Sequence, residues 1–540
     1  MVAPQRAWRA ACPNCGAPVE FASAASASAV CSFCRSTLVR DGEALRRIGQ
    51  SAELFDDHSP LQLGVAGRWQ DTPFTLVGRR QLRYPEGSWN EWHALFDSGR
   101  SGWLSEDNGA YVVAFDVPLE GSAPSAASLV AGTRVTVQGA AWSVASVVAA
   151  TLHAAEGELP APPLLDGAAF TVADLRNDRD EVATLDYGSP GAPTLSLGRP
   201  VRLAELALTG LRQLDGKSLG GKSFDCPSCG APLELTLKTT QSIVCGQCKA
   251  VVNLSTGVGA DLQYYGQSNA GHDGAEPLIP LGRNGTLAIN GPGLPWQVVG
   301  YVERCDLPDP GDDEEQTFWR EYLLYNQQEG FAFLVDAEDG WSAVRPLTGA
   351  PQVSGDVAQW KGRAFRKRYA YQAKVAWVLG EFYWQLKRDE QALVTDYFGL
   401  KNASGRRLSR EQTGAEVTWS EGGNLDAAAV VKAFNLDPRL LPSMQRDVAP
   451  MGDGTGFNFG KWKTVFWIGL IIAMVAISLM SSDDGLMSSN DGRDCDSFKT
   501  TFGEASNEYQ QCLAQARAGG GSRTRGGSYG GFSSGGGGHK

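Results

Sequence analysis

The chain reads as a mainly β protein: two small four-cysteine ribbons, a duplicated small β-barrel or sandwich module, one C-terminal transmembrane helix and a disordered Gly-rich tail. Three observations predict this. The pattern C-x2-C-x15-C-x2-C occurs twice; short apolar runs punctuated by Gly and Pro follow each occurrence in the same order; and 17 residues without a charge stand near the end. The order divides the chain into 1–45 (first ribbon), 60–212 (first β module, two sub-barrels), 220–255 (second ribbon) and 277–435 (second β module). A linker over 436–460, a span over 461–481 and a tail over 482–540 follow.

Length and charge bound the rest. At 540 residues the chain exceeds one core, and ordinary domain sizes give about three to five units. A net charge of −12 argues against binding to duplex nucleic acid, which needs a basic face to neutralise phosphates. The five histidines, at 58, 93, 153, 272 and 539, are too scattered for a His-rich metal site or catalytic cluster. Residues 1–11 hold arginines and no apolar run, so no cleavable export signal is read there.

The first ribbon contains Cys12-Pro-Asn-Cys15-Gly and Cys31-Ser-Phe-Cys34; the second contains Cys226-Pro-Ser-Cys229-Gly and Cys245-Gly-Gln-Cys248. Each C-x2-C turn brings two thiolates to one metal, and four thiolates at this spacing predict a structural Zn2+ in each ribbon. A rubredoxin-like iron site shares the knuckle but usually has a longer separation. Gly16 and Gly230 permit the tight turn. Units this small need the metal to fold. The Ala/Ser run 22–29 reads as an arm between knuckles.

The first β module offers Phe74–Gly78, Trp89–Phe96, Gly102–Leu104 and Tyr111–Phe115, then Gly132–Gly139, Ala141–Val144, Gly157–Leu159, Phe170–Asp174 and Ala183–Tyr187. Strands this short at this spacing predict a small barrel or sandwich. Residues 201–211 read as a closing strand or a short helix. After the second ribbon the order returns. Trp296–Gly300 echoes Phe74–Gly78, Trp319-Arg-Glu321-Tyr322 echoes Trp89-Asn-Glu91-Trp92, Gly380-Glu381-Phe382 echoes the Gly157-Glu158-Leu159 turn, and Asp396-Tyr397 echoes Asp186-Tyr187. Four echoes in order predict an internal duplication. The second copy adds an acidic stretch, 306–315, after Cys305, which reads as a solvated hairpin loop. Residues 425–434 have apolar residues at helical spacing with Asn424 as candidate cap, a closing helix.

The uncharged run is 464–480, flanked by Lys461, Trp462 and Lys463 before it and Asp483 and Asp484 after it. These flanks favour a membrane span over a buried soluble helix, and lysines on the N-terminal side place 1–460 in the cytoplasm. Cys495 and Cys512 then lie outside, where they either form a disulfide or stay free. From Gly519 the Gly/Ser-rich end is compositionally disordered.

The ribbon, the W-x-E-[WY] strand, G-E-[LF] and D-Y together resemble the bacterial family called domain of unknown function 4178, present twice over roughly 60–210 and 277–435. The resemblance implies no settled activity. It implies an envelope-associated setting at the bacterial inner membrane, beside phage-shock-protein-A-like membrane-remodelling proteins and aminopropyltransferase-like proteins.

Glu91, Glu158, Glu321 and Glu381 are the candidate ligand-binding residues, as carboxylates repeated beside aromatics. Each reads either as a general base or cation-holding group, or as an acceptor of backbone N–H bonds at a strand end. No nucleophile elbow, phosphate loop or H-E-x-x-H occurs, and no catalytic residue is assigned. The favoured expectation is a membrane-anchored cytoplasmic scaffold that binds protein partners. The alternatives are a ligand sensor or enzyme using the repeated glutamates, and, weakest, nucleic-acid binding through Arg6, Arg9, Arg35, Arg40, Lys222 and Lys249.

Overall fold

The long strands that end in the G-E motif organise each copy. A computed structural model describes residues 8–446, apart from 22–27, 42–43, 51–58, 86, 108–109, 163–166, 190, 213–222, 238–239, 255–262, 266, 268–273, 290, 308–315, 327–328 and 388–389. The expected span 461–481, the tail with Cys495 and Cys512, and most of the acidic loop lie outside the described residues. Among the described residues no helix is long and apolar enough to cross a membrane.

The first copy contains β1 (Thr72–Tyr84), β2 (Gly87–Phe96), β3 (Ser101–Asp107), β4 (Ala110–Val117), β5 (Ala140–Leu159), β6 (Phe170–Arg176), β7 (Val182–Asp186) and β8 (Thr194–Val201). They pair antiparallel in the closed order β1-β2-β3-β4-β8-β7-β6-β5-β1. Closure removes the open edges that a sheet would otherwise expose. Two cores lie on the outer face of this one circuit. One is built on Phe74, Leu76, Trp92 and Phe115, the other on Trp142, Val144, Leu175 and Leu185.

The second copy repeats the circuit with β9 (Gly293–Leu307), β10 (Phe318–Asn326), β11 (Gly330–Ala337), β12 (Gly340–Leu347), β13 (Arg363–Phe382), β14 (Gln391–Gly399), β15 (Arg406–Thr413) and β16 (Glu416–Leu425). Its order is β9-β10-β11-β12-β16-β15-β14-β13-β9. The duplication extends to irregularities. Pairing skips Ala145 and His153 along β5, and Arg368 and Ala376 at the same places along β13. Such bulges bend a strand and sharpen its twist, which lets one 20-residue strand serve both ends of the barrel.

The residues at 201–211 resolve into the end of β8 followed by a 3-10 turn over Leu203–Leu206, with Leu206 buried in the first core. The closing helix is Ala427–Ala433, burying Val430 and Val431 against the second barrel. Its cap position is Asp426, not Asn424. Asn424 is still inside β16, paired with Ser342, and its Oδ1 accepts from Arg407 Nε at 2.7 Å.

The copies join along one seam. Ser146 pairs with Glu416, the Ala350 N–H donates to the Asn177 carbonyl at 3.0 Å, and Lys361 meets Asp180 at 2.6 Å.

Candidate metal centres and the repeated glutamates

The four cysteines of each ribbon converge. Cys12 and Cys34 sulfurs stand 3.6 Å apart and Cys15 and Cys31 3.7 Å; the second set gives 3.8 Å for Cys226 and Cys248 and 3.7 Å for Cys229 and Cys245. A tetrahedral ion with metal–sulfur bonds of about 2.3 Å requires sulfur–sulfur edges of about 3.8 Å. Both four-cysteine groups therefore fit a metal ion. Every knuckle closes through a backbone bond, from Gly16, Arg35, Gly230 and Lys249 N–H groups to the carbonyls of Cys12, Cys31, Cys226 and Cys245. All four donors are left-handed, with φ between 56° and 75°. Glycine meets this in the first knuckle of each module, while Arg35 and Lys249 carry it in the second. The Cys34 thiol is brought down to about 5, first through the Ser36 hydroxyl, and Cys248 to about 6, first through the Ala250 backbone.

The modules are joined to the barrels at the G-E motif, which is strand and not the expected turn. Ser28–Val30 of the first module pairs with Gly157–Leu159, and Ser242 and Ile243 of the second pair with Phe382 and Glu381. The stretch read as an arm thus ends in the docking strand. Val30 packs with Trp103, Ala155 and Leu159, and Leu237, Val244 and Val251 share the core of the second barrel. Both modules close a barrel end.

This docking explains the motif. Gly78 and Gly157 are direct partners, as are Gly300 and Gly380. A Cβ on Gly300 would meet the Glu381 carbonyl oxygen at 2.8 Å, and Gly157 and Gly380 have φ of +69° and +89°. The Glu381 carboxylate then accepts from the backbone N–H groups of Thr236 (2.7 Å) and Leu237 (2.8 Å) and from the Thr240 hydroxyl (2.6 Å). Glu158 holds the matching position, buried opposite Ala29. Its carbonyl lies 2.9 Å from His93 Nδ1, and the Ser101 hydroxyl lies 3.0 Å from Nε2. A carbonyl only accepts, so Nδ1 carries the proton, and burial lowers the imidazole pKa.

Glu91 and Glu321 sit elsewhere, inside the barrels. Trp89 Nε1 donates to Glu91 at 3.3 Å, and Trp319 Nε1 to Glu321 at 2.8 Å. Arg80 pairs with Glu91 and lies 3.9 Å from Asp186; Arg304 lies 3.5 Å from Glu321 and grips Glu411 through two bonds of 3.0 Å. Burial disfavours the charged form of both arginines, but the paired carboxylates outweigh it and raise the pKa of each. In each barrel one arginine thus meets a Trp-bonded glutamate and a second carboxylate. The arginine comes from different positions: β1 has Arg80 and Leu82 where β9 has Val302 and Arg304, two residues along the same strand face.

This arrangement corrects one echo. Asp186 pairs with Val172 and Glu411 with Val394, which makes them counterparts. Asp396 pairs with Tyr369 as Asp174 pairs with Ser146, so Asp396 corresponds to Asp174. Sequence reasoning missed Arg80, Arg304 and Glu411, and also Glu106, which accepts from Ser59 (2.7 Å) and from Trp92 Nε1 (3.0 Å). The four repeated glutamates therefore form two kinds of place, not one site.

Two eight-stranded circuits, each closed at one end by a four-cysteine module, define a duplicated metal-module β protein. The family model for the domain of unknown function DUF4178 matches residues 62–203 and again 291–427, together more than half of the chain, and the chain belongs to that family. No curated protein and no solved structure matches it.

Proposed function

We propose that this chain is a scaffold tethered to the bacterial inner membrane, with both four-cysteine groups holding structural Zn2+ and its β modules held in the cytoplasm by a span over 461–481. The observation that carries this reading is the Glu381 carboxylate. It has three donors from the cysteine module docked on its strand, which supports a role in building a binding platform rather than in chemistry. Four thiolates at tetrahedral spacing support zinc over harder cations. The lysine and aspartate flanks of 464–480 support the span and its sidedness. The partners are proteins of the envelope, in line with the membrane-remodelling and aminopropyltransferase-like neighbours that the family resemblance implies. Crosslinking and co-purification from native membranes test it, comparing the full chain with a version ending at Pro450. A stoichiometric partner that is lost or mislocalised on truncation is the expected result.

A second reading, a ligand sensor using Glu91, rests on one asymmetry. The Arg80 side chain is 23% exposed while Arg304 is 0% exposed, so the first barrel's charged set reaches solvent. Glu91→Gln, with fold and partners retained, separates the readings through loss of a bound cationic ligand.

A further inference from the structure

On the outer face of the first barrel, β4 and β8 floor a groove of about 370 Å³. Trp69 walls one side, Val137 and Trp142 the other, and Phe115 and Leu197 line the base, with Arg179 and Arg199 at the rim. Both arginines pair with Glu181, at 2.7 Å and 3.0 Å, so two guanidiniums share one carboxylate. The turn carrying Arg179 is fixed from the second copy, through Asn177 to Ala350 and Asp180 to Lys361.

The second barrel carries a charged set at this place. Leu197 pairs with Phe115, and their counterparts Glu421 and Arg345 pair likewise. Val137 and Ala140 oppose each other across their hairpin, as do Trp360 and Arg363. In the second barrel Glu421 accepts from Arg406 at 2.6 Å, Arg363 at 3.4 Å and Trp360 Nε1 at 3.3 Å. The charges there satisfy one another. In the first barrel Phe115, Leu197, Val137 and Ala140 stand where the second has Arg345, Glu421, Trp360 and Arg363, and they line an opening beside Glu181.

We propose that this groove binds a small amphiphilic anion, its apolar or aromatic body against Trp69, Phe115 and Trp142 and its acidic head at Arg179 and Arg199. The volume lies in the range of small-molecule pockets, about 300–1,000 Å³, and a mostly apolar lining with a few placed charges is their usual composition. The site shares no residue with the glutamate sets, so it stands or falls independently of the scaffold reading.

The test uses the full chain with 2-naphthoate as probe and the neutral 2-naphthamide as its control, read by equilibrium dialysis. Saturable binding of naphthoate is expected, with naphthamide weaker. Leu197→Glu installs the residue that the second barrel carries at this position, and should weaken naphthoate by at least about tenfold through repulsion at short range. Arg199→Gln, at a rim position of β8 with its side chain 60% exposed, should weaken naphthoate about three- to fivefold, the scale of an exposed ion pair, and leave naphthamide unchanged. The proposal is overturned by absence of saturable binding, by equal affinity for the two probes, or by binding that neither substitution alters.

Discussion

Gly300 and Gly380 face each other as direct partners between β9 and β13, with φ +89° at Gly380 and space beside it for no side-chain atom. The same pair stands in the first barrel as Gly78 and Gly157. At this crossing backbone atoms of Val299 and Gly300 fill the space that a Cβ on Gly380 would need, and the cysteine module attaches one residue further on. Gly380→Ala should destabilise the second copy by about 2–4 kcal/mol, because a left-handed conformation and a backbone clash act together. Urea unfolding of this variant beside Gly414→Ala, at a turn position with φ +55° but open space, isolates the clash. Equal losses in the two variants would remove the packing explanation.

Glu381→Ala leaves the Thr236 and Leu237 N–H groups without their acceptor. The expected cost is about 2–4 kcal/mol, from two or three bonds to a charged group. Hydrogen exchange should show the loss at residues 236–244 first, before the barrel strands respond. Protection unchanged in that segment would mean that Glu381 does not hold the module.

Much of this was legible in sequence, and the limits have physical causes. The cysteine ligands lie in local pairs, so spacing alone exposes them. The Glu381 contact spans 145 residues to Thr236, and no local pattern reports where such a carboxylate points. The Arg–carboxylate sets were hidden differently. Arg80 and Arg304 occupy the same strand face two positions apart, which period-2 geometry permits but letter-by-letter alignment does not reveal. Matching Asp-Tyr letters then suggested Asp396 for Asp186, whereas strand pairing selects Glu411. Turn residues bound runs such as Phe170–Asp174, but Ala141–Val144 and Gly157–Leu159, read as separate short runs, are one strand, Ala140–Leu159, because no turn residue marks a bulged strand that continues.

Arg304→Met should be among the most damaging single substitutions, at about 3–5 kcal/mol, because it removes the buried guanidinium that Glu321 and Glu411 both meet. Arg80→Met should cost less, since Arg80 is partly solvated. Adding Glu411→Gln to Arg304→Met should recover part of the loss. Chemical denaturation of the three variants checks the order, and an Arg80→Met loss larger than that of Arg304→Met would contradict it.

Metal content should fall stepwise. The intact chain is expected to hold two metal ions at its two four-cysteine groups, and Cys226→Ser with Cys229→Ser should lower this to one while the first barrel keeps its stability. Elemental analysis with thermal unfolding reads both. Loss of both ions from the one double substitution would show that the modules are not independent.

Acid should weaken the first copy through His93. Burial holds its pKa below the ordinary 6.5, so the unfolded chain binds the proton more readily. Stability from this group is complete above about pH 6.5 and is lost as pH falls through the lower folded value. His93→Gln, which keeps a donor for Glu158 and an acceptor for Ser101, should flatten that part of the stability–pH curve. An unchanged slope between about pH 7 and about pH 5 would assign the acid sensitivity to other groups.

The most direct test of the scaffold reading is quantitative crosslinking in native membranes on three chains: the full one, one ending at Pro450, and Glu158→Gln with Glu381→Gln. The scaffold account predicts a stoichiometric protein partner on the full chain that leaves the membrane fraction or is lost when the chain ends at Pro450. It also predicts that the charge-neutral pair retains that partner wherever its modules stay docked. A full chain that recovers no protein partner, together with a small molecule retained by the intact chain and lost from the double variant, would contradict it.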